Sequence, residues 1–275
     1  MNTPLAAQRF ELTYKAAHLQ CLDKDGAPII GADASGFVRR EGGELYLYTC
    51  WHVVTGLDVH GLNTGEVSPQ RMALSVTLQD TQTYGAGAIG NRRRLQVPLY
   101  DSSGHPLWSQ DKKDDPQTGL PAAKFRVPFF HDAVKLRLAS DARVSNFQVI
   151  EEECFLGEHT VMPGDKALLV GYPRGYGVLG SGRAIPVVLT RFIAASKIMG
   201  RKYELLLDGL GTPGMSGGPV FIERDASIYL LGLYTGSISP NRVDGDNEII
   251  AALGACCDMT ICWKRMPLQP YTVLD

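Results

Sequence analysis

The segment Gly214-Met215-Ser216-Gly217-Gly218-Pro219 sets one serine among glycines, with few side chains to screen its hydroxyl. Glycine relaxes the steric limits on φ and ψ, so successive N–H groups in such a turn can point the same way and form a concave donor site around whatever the serine attacks. A serine hydroxyl is a weak nucleophile until a base accepts its proton. Of His18, His52, His60, His105, His131 and His159, context favours His52. It follows the alternating run Glu44 to Thr49 through Cys50-Trp51 and opens the short Val53-Val54-Thr55 turn, which puts its ring at a strand end where a cleft can form. The other five sit in polar stretches or beside charges, where an exposed, titrating histidine is the ordinary outcome. A base also needs a carboxylate that holds its tautomer. Asp132 heads the Val134, Leu136, Leu138 run at the same parity, so it faces inward with them and needs a partner there. Asp58 and Asp101 are the alternatives, each otherwise a cap at a strand start. The chemistry of such a set is acyl transfer through a covalent intermediate on Ser216.

As a bare pattern, Gly214 to Gly218 also satisfies Gly-x-Ser-x-Gly, the nucleophile elbow of α/β-hydrolases. That arrangement places its histidine after its serine, and the last histidine in this chain, His159, precedes Ser216. A metal reading of Cys50, His52, Cys154 and His159 lacks any Cys-x-x-Cys or His-x-x-x-His pairing. No metal and no cofactor is expected.

The elements that must position these residues are short strands. Besides Glu44 to Thr49, the runs Met72 to Leu78 and Ala133 to Leu138 alternate as half-buried antiparallel strands do. Further candidates are His18 to Leu22, Lys166 to Tyr172, Pro186 to Ala194, Tyr203 to Leu207, Pro219 to Ile222 and Ile228 to Tyr234, most bounded by Gly, Pro, Asp or Asn. The 30 Gly and 16 Pro among 275 residues suit tight turns between many strands, and the pattern predicts an all-β barrel or sandwich. Helix is expected only as one turn at His52 to Thr55 and in a C-terminal segment near Cys257 to Arg265. Asn91-Arg92-Arg93-Arg94 and the polar stretch Asp101 to Lys124, with Lys112-Lys113-Asp114-Asp115-Pro116 inside it, read as surface loops.

The 44% hydrophobic and 20% charged residues supply a core for one large domain or two fused halves. With 27 basic against 29 acidic side chains, a net charge of −2 gives no general pull toward phosphate backbones or anionic membranes, so neither nucleic acid nor membrane is an expected partner. Met1 to Phe10 carries no apolar run of signal-peptide length, and no uncharged stretch approaches the roughly 18 residues of a membrane span. The six cysteines, Cys21, Cys50, Cys154, Cys256, Cys257 and Cys262, are few for a disulfide scaffold, and two are adjacent. Reduced thiols and a cytoplasmic location are the expectation.

Thr49-Cys50-Trp51-His52-Val53-Val54, Asp132-Ala133-Val134-Lys135-Leu136 and Gly214-Met215-Ser216-Gly217-Gly218-Pro219-Val220 resemble, in order and spacing, the His, Asp and Ser motifs of trypsin-like serine peptidases of the chymotrypsin fold. The match is nearest the bacterial, disulfide-free branch that includes HtrA-like proteases. Ala34-Ser35-Gly36-Phe37-Val38, Val170-Gly171-Tyr172-Pro173 and Gly232-Leu233-Tyr234-Thr235-Gly236 add to it, over about residues 15 to 255. The resemblance implies two six-stranded antiparallel barrels, about 15–140 and about 145–275, with the site in the crevice between them. It implies Ser216 as nucleophile, His52 as general base and then acid, Asp132 as its orienter, and the N–H groups of Gly214 and Ser216 as an oxyanion hole. Tyr234, Thr235 and Gly236 match the strand that pairs with an extended substrate.

Departures from the family shape the expected activity. Val53 and Thr212 stand where secreted members carry cysteines, and Met215 stands where they carry the aspartate that pairs with a new N-terminus on activation. Leu210 falls at the floor of the primary specificity pocket, so a substrate cation would lack a counter-charge, and apolar or small side chains are expected there; Asp208 lies two residues away. The function implied is a regulated intracellular endopeptidase acting on a protein or peptide, such as a bacterial stress or defence effector, restrained or activated by a partner or by the loops Asp101 to Lys124 and Tyr172 to Ala184. The alternative is a catalytically silent scaffold that binds a protein strand.

Overall fold

Period-two alternation is realised as strands almost wherever it occurs. In β3 (Glu44–Thr49), Leu45 and Leu47 are buried between half-exposed Glu44 and Tyr46, and in β7 (Val134–Arg137) Val134 and Leu136 are buried while Arg137 is exposed. The structure is a computed structural model that describes residues 5–57, 68–79, 92–111, 132–139, 144–154, 161–174, 186–195, 204–238, 253–258 and 263–265. Ahead of β3 come α1 (Leu5–Lys15), β1 (Ala16–Leu22) and β2 (Pro28–Glu41); after it come α2 (Trp51–Thr55), β4 (Arg71–Thr77), β5 (Arg92–Pro98) and β6 (Trp108–Asp111), before β7. A single 3₁₀ turn at Glu152–Cys154 leads to β8 (Lys166–Gly171), β9 (Val187–Ala195), β10 (Glu204–Leu207), β11 (Pro219–Arg224), β12 (Ser227–Ile238), β13 (Leu253–Asp258) and β14 (Trp263–Arg265).

These strands form two curled antiparallel sheets. The first has the order β14-β6-β7-β3-β2-β1-β4-β5, and the second closes as β10-β13-β12-β11-β8-β9. β8 joins the two cores: Leu168 and Val170 face the apolar cluster of the first sheet, while Ala167 and Leu169 face the interior of the second, as alternate residues of one strand must. No helix among the described residues is long and apolar enough to cross a membrane.

Several expectations are corrected. The first sheet has eight strands instead of six among the described residues: the first half of the sequence supplies seven, β1 to β7, and the Trp263–Arg265 strand pairs with β6 as the eighth, leaving the second half of the sequence to join the first sheet. The C-terminal helix near Cys257 to Arg265 is replaced, in the described residues there, by the ends of β13 and by β14. β13 fills the place between β10 and β12, so pairing on both edges overrides a weak local helical signal. Arg92, Arg93 and Arg94 are not a loop but the first half of β5, paired with Thr77, Val76 and Ser75 of β4. Trp108–Asp111 within the expected loop Asp101 to Lys124 is a strand as well, with Trp108 buried against Tyr100. Helix α1 had no strong sequence signal and is fixed by its contacts: Arg9 pairs with Glu223, and Lys15 Nζ donates to Val149 O at 2.8 Å. Asp58, His60, Asn91, His131, His159, residues 112–124, residues 175–184 and Cys262 lie outside the described residues.

Candidate active site

His52 and Asp132 are brought together by strand register. Thr49 at the end of β3 faces Val134 at the start of β7, so the chain three residues beyond one and two residues before the other must meet. There His52 is the second residue of α2, whose left-handed C-cap Gly56 ends the helix after one turn. One Asp132 oxygen accepts the His52 backbone N–H at 2.9 Å, satisfying a first-turn donor that has no partner inside the helix; the other lies 2.6 Å from His52 Nδ1. A carboxylate can only accept, so the proton sits on Nδ1 and Nε2 is left as the basic nitrogen. Burial pulls the His52 pKa down, but the Asp132 charge and hydrogen bond outweigh it and leave the ring above its ordinary 6.5. The side chains are 27% and 14% exposed respectively, so the ring is reachable while its carboxylate is mostly covered.

The Ser216 turn is assembled differently, by single contacts from distant segments. Gly214 has φ +94°, and a Cβ there would lie 2.6 Å from both Arg174 N and Tyr172 O. Gly217 has φ +84°, and a Cβ would strike Ser35 O and Thr49 Oγ1. Only glycine combines a left-handed backbone with such close approach. Gly217 N–H donates to Tyr234 O at 2.7 Å, Tyr234 N–H donates to Gly218 O at 2.9 Å, and Ser35 N–H donates to Ser216 O at 2.9 Å. Thr49 Oγ1 donates to Ser35 O at 2.9 Å, so the serine turn is seated on the strand that delivers His52. Met215 is fully buried in the apolar cluster of the second sheet.

Both expected oxyanion donors are available. Among the described residues, neither the Gly214 nor the Ser216 N–H donates to a protein acceptor. Their peptide planes are nonetheless fixed: Pro213 O accepts from Arg174 N–H at 2.7 Å and Met215 O accepts from Gly218 N–H at 3.0 Å. A trans peptide points its N–H opposite its C=O, so both bonds aim the free donors away from these partners. Among the described residues, no hydrogen bond joins Ser216 to the His52 ring.

Not every predicted residue takes its expected place. Tyr234 is a support of the serine turn: its carbonyl accepts from both Gly217 N–H and the Cys50 thiol at 3.3 Å, which uses both lone pairs, and its hydroxyl accepts from Gly211 N–H at 2.9 Å. Thr235 and Gly236 follow it, and Gly236 has no atom within 4 Å of where a Cβ would stand. Leu210 is 38% exposed, and its carbonyl accepts from Nη2 and Nε of Arg191 at 2.6 and 3.2 Å. Asp208 accepts the Phe192 N–H at 2.9 Å and faces β9. Asp101 accepts the N–H groups of Ser103 and His105 within its own turn, far from the role open to it in the sequence. His18 pairs with Asp33 at 3.1 Å.

Two residues have structural roles that the sequence did not assign to them. Cys50, buried beneath the site, brings its thiol, the His52 ring and the Asp132 carboxylate within 4.8 Å of one another, a set that could in principle ligate a metal. The Asp132 oxygens and the thiol are already committed to hydrogen bonds, which favours the His–Asp pairing. Ser35 falls within Ala34 to Val38, and no periodicity supplies its role, since its partners include positions 172, 214 and 216. Cys21, Cys50, Cys154 and Cys256 lie outside any disulfide.

No family model and no curated protein matches the sequence. Among solved structures, the chain is similar to the serine endoprotease from Yersinia pestis, at 17% identity and a TM-score of 0.47, over 94% of this chain and 63% of that one. The chain thus spans less than two thirds of that protein's length. At this distance the likeness transfers no activity.

Proposed function

We propose that the chain is a serine endopeptidase of the chymotrypsin-like kind, with Ser216 as nucleophile, His52 as general base and then acid, and Asp132 holding the imidazole. The observation that carries this reading is the His52–Asp132 pair, closed at 2.6 and 2.9 Å, together with a serine turn whose two oxyanion donors are unclaimed among the described residues. In this reaction Ser216 Oγ attacks the scissile carbonyl while His52 Nε2 takes its proton. The oxyanion forms against the Gly214 and Ser216 N–H groups, and His52 returns the proton to the leaving amine. Water then repeats the sequence on the acyl-enzyme. A substrate strand would run along Thr235 and Gly236, with Tyr234 behind it.

An apolar or small residue at the bond to be cleaved fits Leu210. The nearest carboxylate, Asp208, is engaged with Phe192, and the Arg191 guanidinium bonded to Leu210 O would repel a substrate cation. A restraining or activating protein partner remains part of the proposal, as does an intracellular role. The experiment is hydrolysis of fluorescein-labelled casein by wild type and Ser216→Ala. Release by the wild type alone supports the reading, and equal release by both sinks it.

The second reading, a silent scaffold binding a protein strand, is favoured by one feature: Ser216 and the His52 ring are not hydrogen-bonded. Such bonds are often loose without substrate and tighten in the complex, so we place this reading second.

A further inference from the structure

Ser35 belongs to β2, in the sheet that carries His52, yet it makes two hydrogen bonds to the Ser216 turn, as many as Tyr234 of the turn's own barrel. It is fully buried. Its hydroxyl donates to Gly214 O at 2.8 Å and accepts the Tyr172 N–H at 2.8 Å. Its backbone N–H donates to Ser216 O at 2.9 Å, and its carbonyl accepts the Thr49 hydroxyl at 2.9 Å. One residue therefore joins the strand leading to the base through its carbonyl, and the peptide after Gly214 and the segment whose Arg174 N–H holds the Pro213 carbonyl through its hydroxyl.

The positions of these bonds decide what they control. The Gly214 N–H lies in the peptide whose carbonyl is Pro213 O, held by Arg174, and the next peptide carbonyl, Gly214 O, is held by Ser35 Oγ. Gly214 is thus clamped on both sides. With φ at +94° and no side chain, it would otherwise be free to rotate either peptide and turn its donor out of the site. The hydroxyl also holds Tyr172, two residues before Arg174, so the two clamps share one anchor.

We infer that Ser35 is a positioning residue for the oxyanion hole: its buried hydroxyl fixes the Gly214 peptide and couples it to the Tyr172–Arg174 segment, so that the donors face the carbonyl that Ser216 attacks. This rests on the proposed peptidase reading. Alanine at position 35 removes a donor to Gly214 O and an acceptor for Tyr172 N–H while leaving the backbone bonds to Ser216 and Thr49 in place.

The test uses the full chain with p-nitrophenyl acetate. The burst amplitude counts competent sites, and the acylation rate per competent site reads the aim of the donors. Ser35→Ala is expected to lower the rate per site by about 10- to 100-fold, less than outright loss of an oxyanion donor, with KM within about twofold. Phenylboronic acid, whose tetrahedral adduct occupies the same donors, is expected to bind more weakly by a similar factor. A merely structural role would lower the burst amplitude and leave the rate per site and the boronate affinity unchanged, and that result overturns the inference. Should the alanine variant not fold, Ser35→Cys, with a weaker donor in the same place, carries the same comparison. A wild type without any burst would instead count against the peptidase reading, so the two failures are distinguishable.

Discussion

The His52–Asp132 pair and the Ser216 turn solve the same problem of position by different means. The pair hangs from two neighbouring strands of one sheet, and once Thr49 faces Val134 the rest follows from chain geometry and two short hydrogen bonds. The serine turn has no such ladder. It is fixed by isolated bonds from Ser35, Arg174 and Tyr234, by a buried Met215 and by glycines that tolerate the close approach. Register makes the position of His52 robust, because moving it means breaking a sheet. The Ser216 turn depends on a few contacts, each of which can be removed separately.

The comparison predicts a hierarchy of effects. Ser216→Ala and His52→Ala each remove one end of the proton transfer and are expected to cost about 10⁶ in turnover, with little change when combined, because they act as a unit. A double variant much worse than either single one, measured in the same ester assay, would show that the two do not work together.

Asp132→Asn leaves the space filled and is expected to cost about 10⁴, as the imidazole loses its tautomer. The same change bears on pH. Catalysis needs neutral His52, so the rate should fall as pH drops through a midpoint above 6.5 in the wild type. Removing the Asp132 charge leaves burial alone, which lowers that midpoint, and titration of the His52 ring protons by NMR should show it moving below 6.5. A midpoint that does not move would mean that the carboxylate is not the group that governs the base.

Gly214→Ala attacks the other half. A side chain at φ +94°, 2.6 Å from Arg174 N and Tyr172 O, cannot be seated without shifting the turn, and a loss of about 10²–10³ in turnover is expected with the His52 titration unchanged. If the His52 midpoint shifted as well, the two halves would be more tightly coupled than their bonding suggests. Smallest of all, Asp101→Asn should change turnover by less than about twofold, since its carboxylate serves its own turn.

What the sequence revealed follows the same division. His52 and Asp132 were legible because alternation is local: the parity of Val134, Leu136 and Leu138 predicts an inward aspartate, and a strand ending at Thr49 predicts a histidine at its tip. The tight turn around Ser216 was legible from its glycines. Ser35 and Cys50 were not, because their importance lies in partners more than a hundred residues away. The same reason hid the fate of the chain's end. The Trp263–Arg265 strand pairs with β6, and β5 begins with three arginines whose polarity suggested a loop, yet half-exposed edge strands carry such residues routinely. Helix α1 was invisible for want of a strong amphipathic stripe and is held by tertiary contacts.

The central claim is that Ser216 is a nucleophile activated by His52, and covalent labelling reads this most directly. Wild-type protein treated with a fluorophosphonate and examined by intact mass and peptide mapping should gain one adduct, on Ser216, and both Ser216→Ala and His52→Ala should remain unlabelled. An adduct elsewhere, or labelling of Ser216 that persists at the wild-type rate in His52→Ala, would contradict the account.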